Sequence, residues 1–155
     1  MSARPSATAT AGPSARVPGL GRREAAIFLS FADTVLAPRP PLPAVADTDA
    51  LAAFARFLGA SPGPNRIALR AGLRALDAGP RALGFRRGLC ALAPERRLAY
   101  VQRLQAGPLA GPVKALVGLA AVSYYGDDRV MGLLGYDADA RLARARELRE
   151  REGRW

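Results

Sequence analysis

The sequence predicts an all-α fold, a single-domain multi-helix bundle with a flexible N-terminal tail. Apolar residues recur at helical spacing along most of the chain, and no segment alternates polar and apolar residues as a half-buried strand does. The chain has 155 residues and is 50% hydrophobic, which suits one domain with its own core. We expect a flexible tail over 1–18, a helical domain over 19–138 and a charged C-terminal helix over 139–155.

The tail and the first helix differ in composition. Residues 1–18 are rich in Ser, Ala, Thr, Pro and Gly and contain no aromatic residue, which is typical of a flexible segment. A first helix is predicted from Arg22 to Leu36, because Ile27, Phe28 and Phe31 fall on one face at helical spacing. This helix would supply a large part of the core.

The same segment has features of a twin-arginine export signal. Arg22-Arg23 stands before the apolar residues 25–36, and Ala44-Val45-Ala46 resembles a cleavage site. Asp33 lies inside the apolar stretch, however, which does not suit a signal peptide. The preferred interpretation is a folded first helix, and the export signal is the alternative.

Prolines and glycines divide the middle of the chain. The four prolines between 38 and 43 forbid a helix and predict an extended connection. Gly79-Pro80 is expected to end one helix and Gly107-Pro108 another. The helices predicted here cover about 47–59, with Asp47 or Thr48 as cap, then 61–78, 81–90, 94–105 and 109–125.

The segment Ser123–Asp137, SYYGDDRVMGLLGYD, is the most specific part of the sequence. Glycine stops and aspartate caps account for most of it. Gly126 is expected to end one helix in the left-handed conformation and Gly135 the next, with Asp127 or Asp128 and then Asp137 capping the helices that follow. Capping does not explain Tyr124, Tyr125 and Tyr136, whose rings we expect to be half buried.

The last segment, 139–155, is dominated by arginine and glutamate. Glu147 with Arg151, and Glu150 with Arg154, stand four residues apart and favour a solvated helix. Trp155 is either an anchor on a partner or a disordered last residue.

The net charge is +10, and 22 of the 23 basic side chains are arginine. On the third predicted helix, Arg66, Arg70 and Arg74 recur at every fourth position without an acidic neighbour to offset them. We call these three residues the arginine stripe. Such a stripe could contact an acidic partner, an anionic lipid surface or nucleic acid.

Composition excludes several kinds of chemistry. Histidine is absent and cysteine occurs once, at Cys90, which removes His-based metal ligation, Ser-His and Cys-His catalysis and an intrachain disulfide. Cys90 is expected to be buried as a small hydrophobe. The adjacent Asp127 and Asp128 are more typical of caps than of an acid/base pair. No apolar run is long enough to span a bilayer, and we expect no catalysis by this chain.

Three segments carry a family pattern in the same order along the chain. They are residues 31–38 (FADTVLAP), residues 92–98 (LAPERRL) and the corner 124–137, which closes on Leu134-Gly135-Tyr136-Asp137. Together they resemble the gluconate 2-dehydrogenase subunit 3 family. Members of that family are small accessory subunits of membrane-associated or periplasmic FAD-dependent dehydrogenases of the glucose-methanol-choline type.

The resemblance implies a non-catalytic small subunit that binds a large FAD-dependent sugar or alcohol dehydrogenase and assists its maturation, stability or export. FAD and the catalytic histidines would belong to that large subunit, and haem to a possible cytochrome subunit. The chain would be cytoplasmic or, with an exported partner, periplasmic. The contact surface predicted here combines the three tyrosines of the corner with the arginine stripe: Tyr124, Tyr125, Tyr136, Arg66, Arg70 and Arg74.

Two alternatives come from composition alone. The first is a basic helical module that binds nucleic acid through the arginine stripe, although no DNA-binding motif is evident and no aromatic residues are interleaved with the basic face. The second is a self-associating helical module without a catalytic partner.

Overall fold

The structure is a computed structural model that describes residues 19–85 and 87–153. Within these residues the fold is all-α, as predicted, and contains no strand. The helices of the described part are α1 (Arg22–Leu36), α2 (Ala50–Ala60), α3 (Gly63–Ala82), α4 (Pro94–Gln105), α5 (Ala110–Tyr125), α6 (Asp128–Leu133) and α7 (Ala138–Glu152). The predicted tail over 1–18, the expected Glu150–Arg154 pair and the role of Trp155 fall at least partly outside the described residues.

Helix α1 lies at the centre of the domain and has the predicted bounds. Ile27, Phe28 and Phe31 are buried, and the helix packs against α2, α3, α4 and α5. The ring of Phe28 stacks on that of Phe54 in α2, with 4.2 Å between the centroids. Cleavage after Ala46, as the export-signal alternative requires, would therefore remove the middle of the core.

Helix α5 is the second main contributor to the core. Val113, Leu116, Ala120 and Tyr124 are buried at helical spacing along one side. The helix packs against α1, α2, α4 and α6. Its C-terminal end leads directly into the corner.

Helix α3 corrects the predicted middle of the chain, because it continues through Gly79-Pro80. Proline removes one backbone hydrogen bond, but here it lies in the last turn and its ring is fully buried, which offsets that loss. The expected helix over 81–90 is wrong. After Ala82 the chain turns, and a short 3₁₀ turn forms at Leu89–Ala91. Cys90 is exposed there instead of buried.

Helix α7 differs from the others, because all of its described side chains are exposed. Leu142 and Leu148 are 55% and 42% exposed. The helix is therefore held by its cap and its own hydrogen bonds more than by burial of an apolar face. Among the described residues, no helix is both long enough and apolar enough to cross a bilayer.

Candidate interaction surface

Tyr124 secures the corner between α5 and α6 from the inside. Its ring is fully buried, and its hydroxyl donates to the carbonyl oxygen of Pro43 at 2.7 Å. Burial raises the pKa of the Tyr124 hydroxyl, because the phenolate would lose its solvation, and the neighbouring Tyr125 and Asp127 add to the effect. The ring is therefore closed to a partner in this structure, which removes Tyr124 from the predicted contact surface.

Asp127 connects the corner to the beginning of α2. One carboxylate oxygen accepts from the backbone N–H groups of Arg129 at 2.9 Å and Val130 at 3.3 Å, which makes Asp127 the cap of α6. The other oxygen accepts from the backbone N–H of Asp49 at 2.8 Å. From the sequence, either Asp127 or Asp128 could be the cap of α6. No feature of the sequence indicated the long-range bond to Asp49.

The two glycines that end helices in the corner, Gly126 and Gly135, do so for different reasons. Gly135 has a φ of 69° and ends its helix in the left-handed region, as predicted. Gly126 does not, since its φ is −82° and its ψ is 0°. A Cβ at Gly126 would lie 2.7 Å from the carbonyl oxygen of Val122, so glycine is required there by close approach of the backbone.

The outer side of the corner exposes a series of apolar side chains. Tyr125 contacts the Tyr124 ring edge-on, with 5.1 Å between the centroids, and is 41% exposed. Tyr136 is 46% exposed, and the guanidinium carbon of Arg141 lies 4.8 Å from its ring centroid. We call the exposed apolar members of this segment, together with the neighbouring Val122 of α5, the corner surface: Val122, Tyr125, Leu133, Leu134 and Tyr136.

A cavity of about 410 Å³ opens beside Tyr136, between α6 and the beginning of α7. Three carboxylates line it, those of Asp128, Asp137 and Asp139. Asp137 also accepts from the backbone N–H of Ala140 at 2.9 Å and so caps α7, as predicted. In 19–85 and 87–153 no group of three or more His, Cys, Asp or Glu side chains is arranged to hold a metal ion. The cavity therefore gives the corner surface an acidic margin.

The arginine stripe lies beside the first turn of α1, where a buried carboxylate engages two of its members. Arg74 donates to one oxygen of Glu24 at 3.0 Å, and Nε of Arg70 lies 4.0 Å from the other oxygen. Glu24 also accepts from the backbone N–H of Gly21 at 3.2 Å. Arg66 is exposed and has no ion pair within the described ranges. The expectation that the stripe lacks an acidic neighbour is therefore wrong for Arg70 and Arg74.

A second ion pair lies next to the stripe. Arg23 donates to the buried carboxylate of Asp77 at 2.8 Å. This hydrogen bond and the charge of Asp77 raise the pKa of Arg23. Glu24 and Arg23 lie in α1, far in sequence from their partners in α3. Helical spacing within α3 therefore could not indicate these ion pairs.

The corner surface and the arginine stripe are separate features in the described part of the chain. Among the described residues, no hydrogen bond or ion pair joins the corner surface to the arginine stripe. The stripe is attached to the first turn of α1, whereas the corner is attached to the connection between α1 and α2 through Tyr124 and to α2 through Asp127. A single contact surface that combines the tyrosines of the corner with the arginine stripe stays a prediction.

The fold and these surfaces define a class of protein, a small helical domain with an exposed aromatic corner and an arginine cluster. No protein-family model matches the sequence, and searches of the curated proteins and of the solved structures returned no similar protein.

Proposed function

We propose that the chain is a non-catalytic small subunit that binds a large FAD-dependent sugar or alcohol dehydrogenase and assists its maturation, stability or export. One observation carries the proposal: the corner in which the sequence resembles the gluconate 2-dehydrogenase subunit 3 family also exposes four of the five apolar side chains of the corner surface. Large apolar side chains grouped at a surface are a frequent mark of a protein contact.

The two exposed tyrosines suit such a contact. Tyrosine is enriched in the cores of protein interfaces, because its ring gives a large apolar area and its hydroxyl can still bond at the margin. Along the chain, Tyr125 precedes α6 and Tyr136 follows it. The partner would cover both rings together with Leu133 and Leu134.

A non-catalytic role is supported by the structural engagement of Asp127, one of the two adjacent aspartates that could be considered for acid/base chemistry. Both oxygens of Asp127 accept backbone N–H groups, which is a structural arrangement. FAD would be held by the large subunit, and haem by a cytochrome subunit if one is present.

Nucleic-acid binding is less well supported than partner binding. Arg70 and Arg74 are paired with Glu24, whose own negative charge would oppose a phosphate backbone. Self-association remains the other outcome that an experiment must distinguish.

The test is purification of a tagged chain from its native host, with the Tyr125→Ala/Tyr136→Ala double variant beside it. The wild-type chain should retain a large flavin-bearing chain, identified by flavin fluorescence and mass spectrometry. The double variant should retain about tenfold less, which corresponds to about 1.4 kcal/mol of binding free energy.

Phe57→Ala is the matched control, because Phe57 is an aromatic residue of α2 that is 47% exposed and lies outside the corner. The double variant should remain folded, since it loses only an edge-on ring contact and a cation–π contact, about 1 kcal/mol each. Equal recovery of flavoprotein by the double variant and the wild type would contradict the proposed contact. A stable wild-type homo-oligomer without flavin would favour self-association.

A further inference from the structure

A second cavity lies at the first turn of α1 and has a volume of about 650 Å³. Glu24 and four arginines line it. Two of the arginines come from the beginning of α1 and two from α3: Arg22, Arg23, Arg70 and Arg74. We call this site the arginine cleft. Arg22 and Arg23 belong to it although they are not in the arginine stripe, whereas Arg66 of the stripe does not line it.

The cleft has more positive charge than its own carboxylates neutralise. Four guanidinium groups face two acidic side chains, Glu24 within the cleft and Asp77 beside it, so two positive charges remain in excess. Arg22 is exposed and has no ion pair with any residue that the structure describes. Residues 1–18 contain two arginines and no aspartate or glutamate.

The buried carboxylates hold the arginines without using up their donors. Arg23 directs one NH2 group to Asp77, and Arg74 directs one to Glu24. The side chains of Arg23 and Arg74 nevertheless stay 73% and 71% exposed. A guanidinium group has five N–H donors in a fixed fork, so several on each arginine remain free. That fork matches a carboxylate in a two-point arrangement.

We propose that the arginine cleft binds the carboxylate side chains of an acidic peptide segment. The segment is assigned to the dehydrogenase subunit, and this assignment rests on the proposed function above. The corner surface would supply the apolar part of the complex, and the cleft would supply electrostatic attraction and orientation.

The chemistry of the cleft favours an acidic peptide over nucleic acid. None of its lining residues is aromatic, so it has no platform on which a base could stack. Its volume suits a few side chains more than a duplex, and the charge of Glu24 opposes a continuous row of phosphates.

The experiment measures binding of a fluorescein-labelled oligoglutamate peptide to the full chain by fluorescence anisotropy at low salt. Arg22→Glu is the test variant and Arg66→Glu the matched control, because both arginines are exposed and unpaired in the described part and both changes alter the net charge equally. A glutamate at the first position of α1 also suits the helix dipole, so the helix should still form. Arg22→Glu should weaken binding about tenfold, and Arg66→Glu less than about threefold.

Several results would overturn the inference. Equal losses in the two variants would show general attraction to a basic protein, and equal binding of an oligoglutamine peptide would show that carboxylates are not recognised. Tighter binding of a short DNA duplex, lost in Arg22→Glu, would assign the cleft to nucleic acid. No oligoglutamate binding by a chain that still retains a flavoprotein would reject the cleft and leave the proposed function standing. A chain that binds oligoglutamate but retains no flavoprotein would support the cleft and contradict the proposed function.

Discussion

Replacement of Asp127 by alanine should destabilise the whole domain, because its carboxylate joins two distant parts of the chain. Loss of the cap on α6 costs about 1 kcal/mol. The bond from the Asp49 N–H at 2.8 Å to a charged acceptor contributes about 1.5 kcal/mol, near the lower limit for such bonds because Asp49 is exposed and water can replace part of it. We expect a total loss of about 2.5 kcal/mol.

Urea unfolding followed by circular dichroism measures this loss, and thermal unfolding should show a decrease of about 5–10 °C in Tm for a chain of this size. Asp127→Ser separates the two contributions. Serine can still cap α6 but is too short to reach Asp49, so it should recover about 1 kcal/mol of the loss.

Asp137→Ala is the matched control. Asp137 caps α7 as Asp127 caps α6, but the described side chains of α7 are all exposed. Its replacement should change the free energy of global unfolding by less than about 0.5 kcal/mol. An equal loss in Asp137→Ala and Asp127→Ala, or no loss in Asp127→Ala, would refute the link between the corner and α2.

Three further substitutions test the interior. Tyr124→Phe removes the bond to Pro43 and should cost about 1 kcal/mol at neutral pH. Because burial raises the folded pKa of Tyr124 above its ordinary 10.0, its contribution is complete below pH 10.0 and is lost as the pH rises through the folded pKa. Unfolding free energies measured from about pH 8 to about pH 11 should therefore fall less steeply in the variant than in the wild type, and equal slopes would contradict this. A Cβ at Gly79 would overlap the buried Tyr100 hydroxyl and lie 3.2 Å from the ring carbon that carries it, so Gly79→Ala should cost about 1–3 kcal/mol by urea unfolding. At Gly72 of the same helix the nearest atom to a Cβ is 3.7 Å away, so Gly72→Ala should stabilise by up to about 1 kcal/mol, and similar effects at the two glycines would contradict the packing argument.

Helix bounds and caps that depend on residues close together in the chain could be predicted from the sequence. The bounds of α1 and α4 follow from apolar spacing and from Pro94 at the first position of α4. The caps at Asp127 and Asp137 and the left-handed Gly135 follow from the preferences of aspartate and glycine. These features need no knowledge of the rest of the molecule.

The features that depend on distant contacts could not be predicted. α3 continues through Pro80 because the proline ring is buried, and Gly79 is small where Tyr100 of α4 approaches. Tyr124 packs in the apolar core, and the carbonyl oxygen of Pro43 accepts the hydroxyl that this burial takes away from water. A pattern within one helix contains no information on such partners.

The candidate surfaces also contain residues that the sequence indicated and residues that only the packing of distant helices brings together. The sequence indicated Tyr125 and Tyr136, which the structure leaves exposed. It also indicated the arginine stripe, but Glu24 of α1 redefines that stripe by pairing with two of its members. Arg22 and Arg23 gain their place in the cleft only through the packing of α1 on α3.

The most direct test of the proposed function is the purification of the full-length tagged chain from its native host, followed by a measurement of FAD per tagged chain. A small subunit of a flavin-dependent dehydrogenase should elute with one large chain that contains FAD, and that chain should be depleted about tenfold by Tyr125→Ala/Tyr136→Ala but not by Phe57→Ala. A stable monomer that elutes without any flavin-bearing chain would contradict the account.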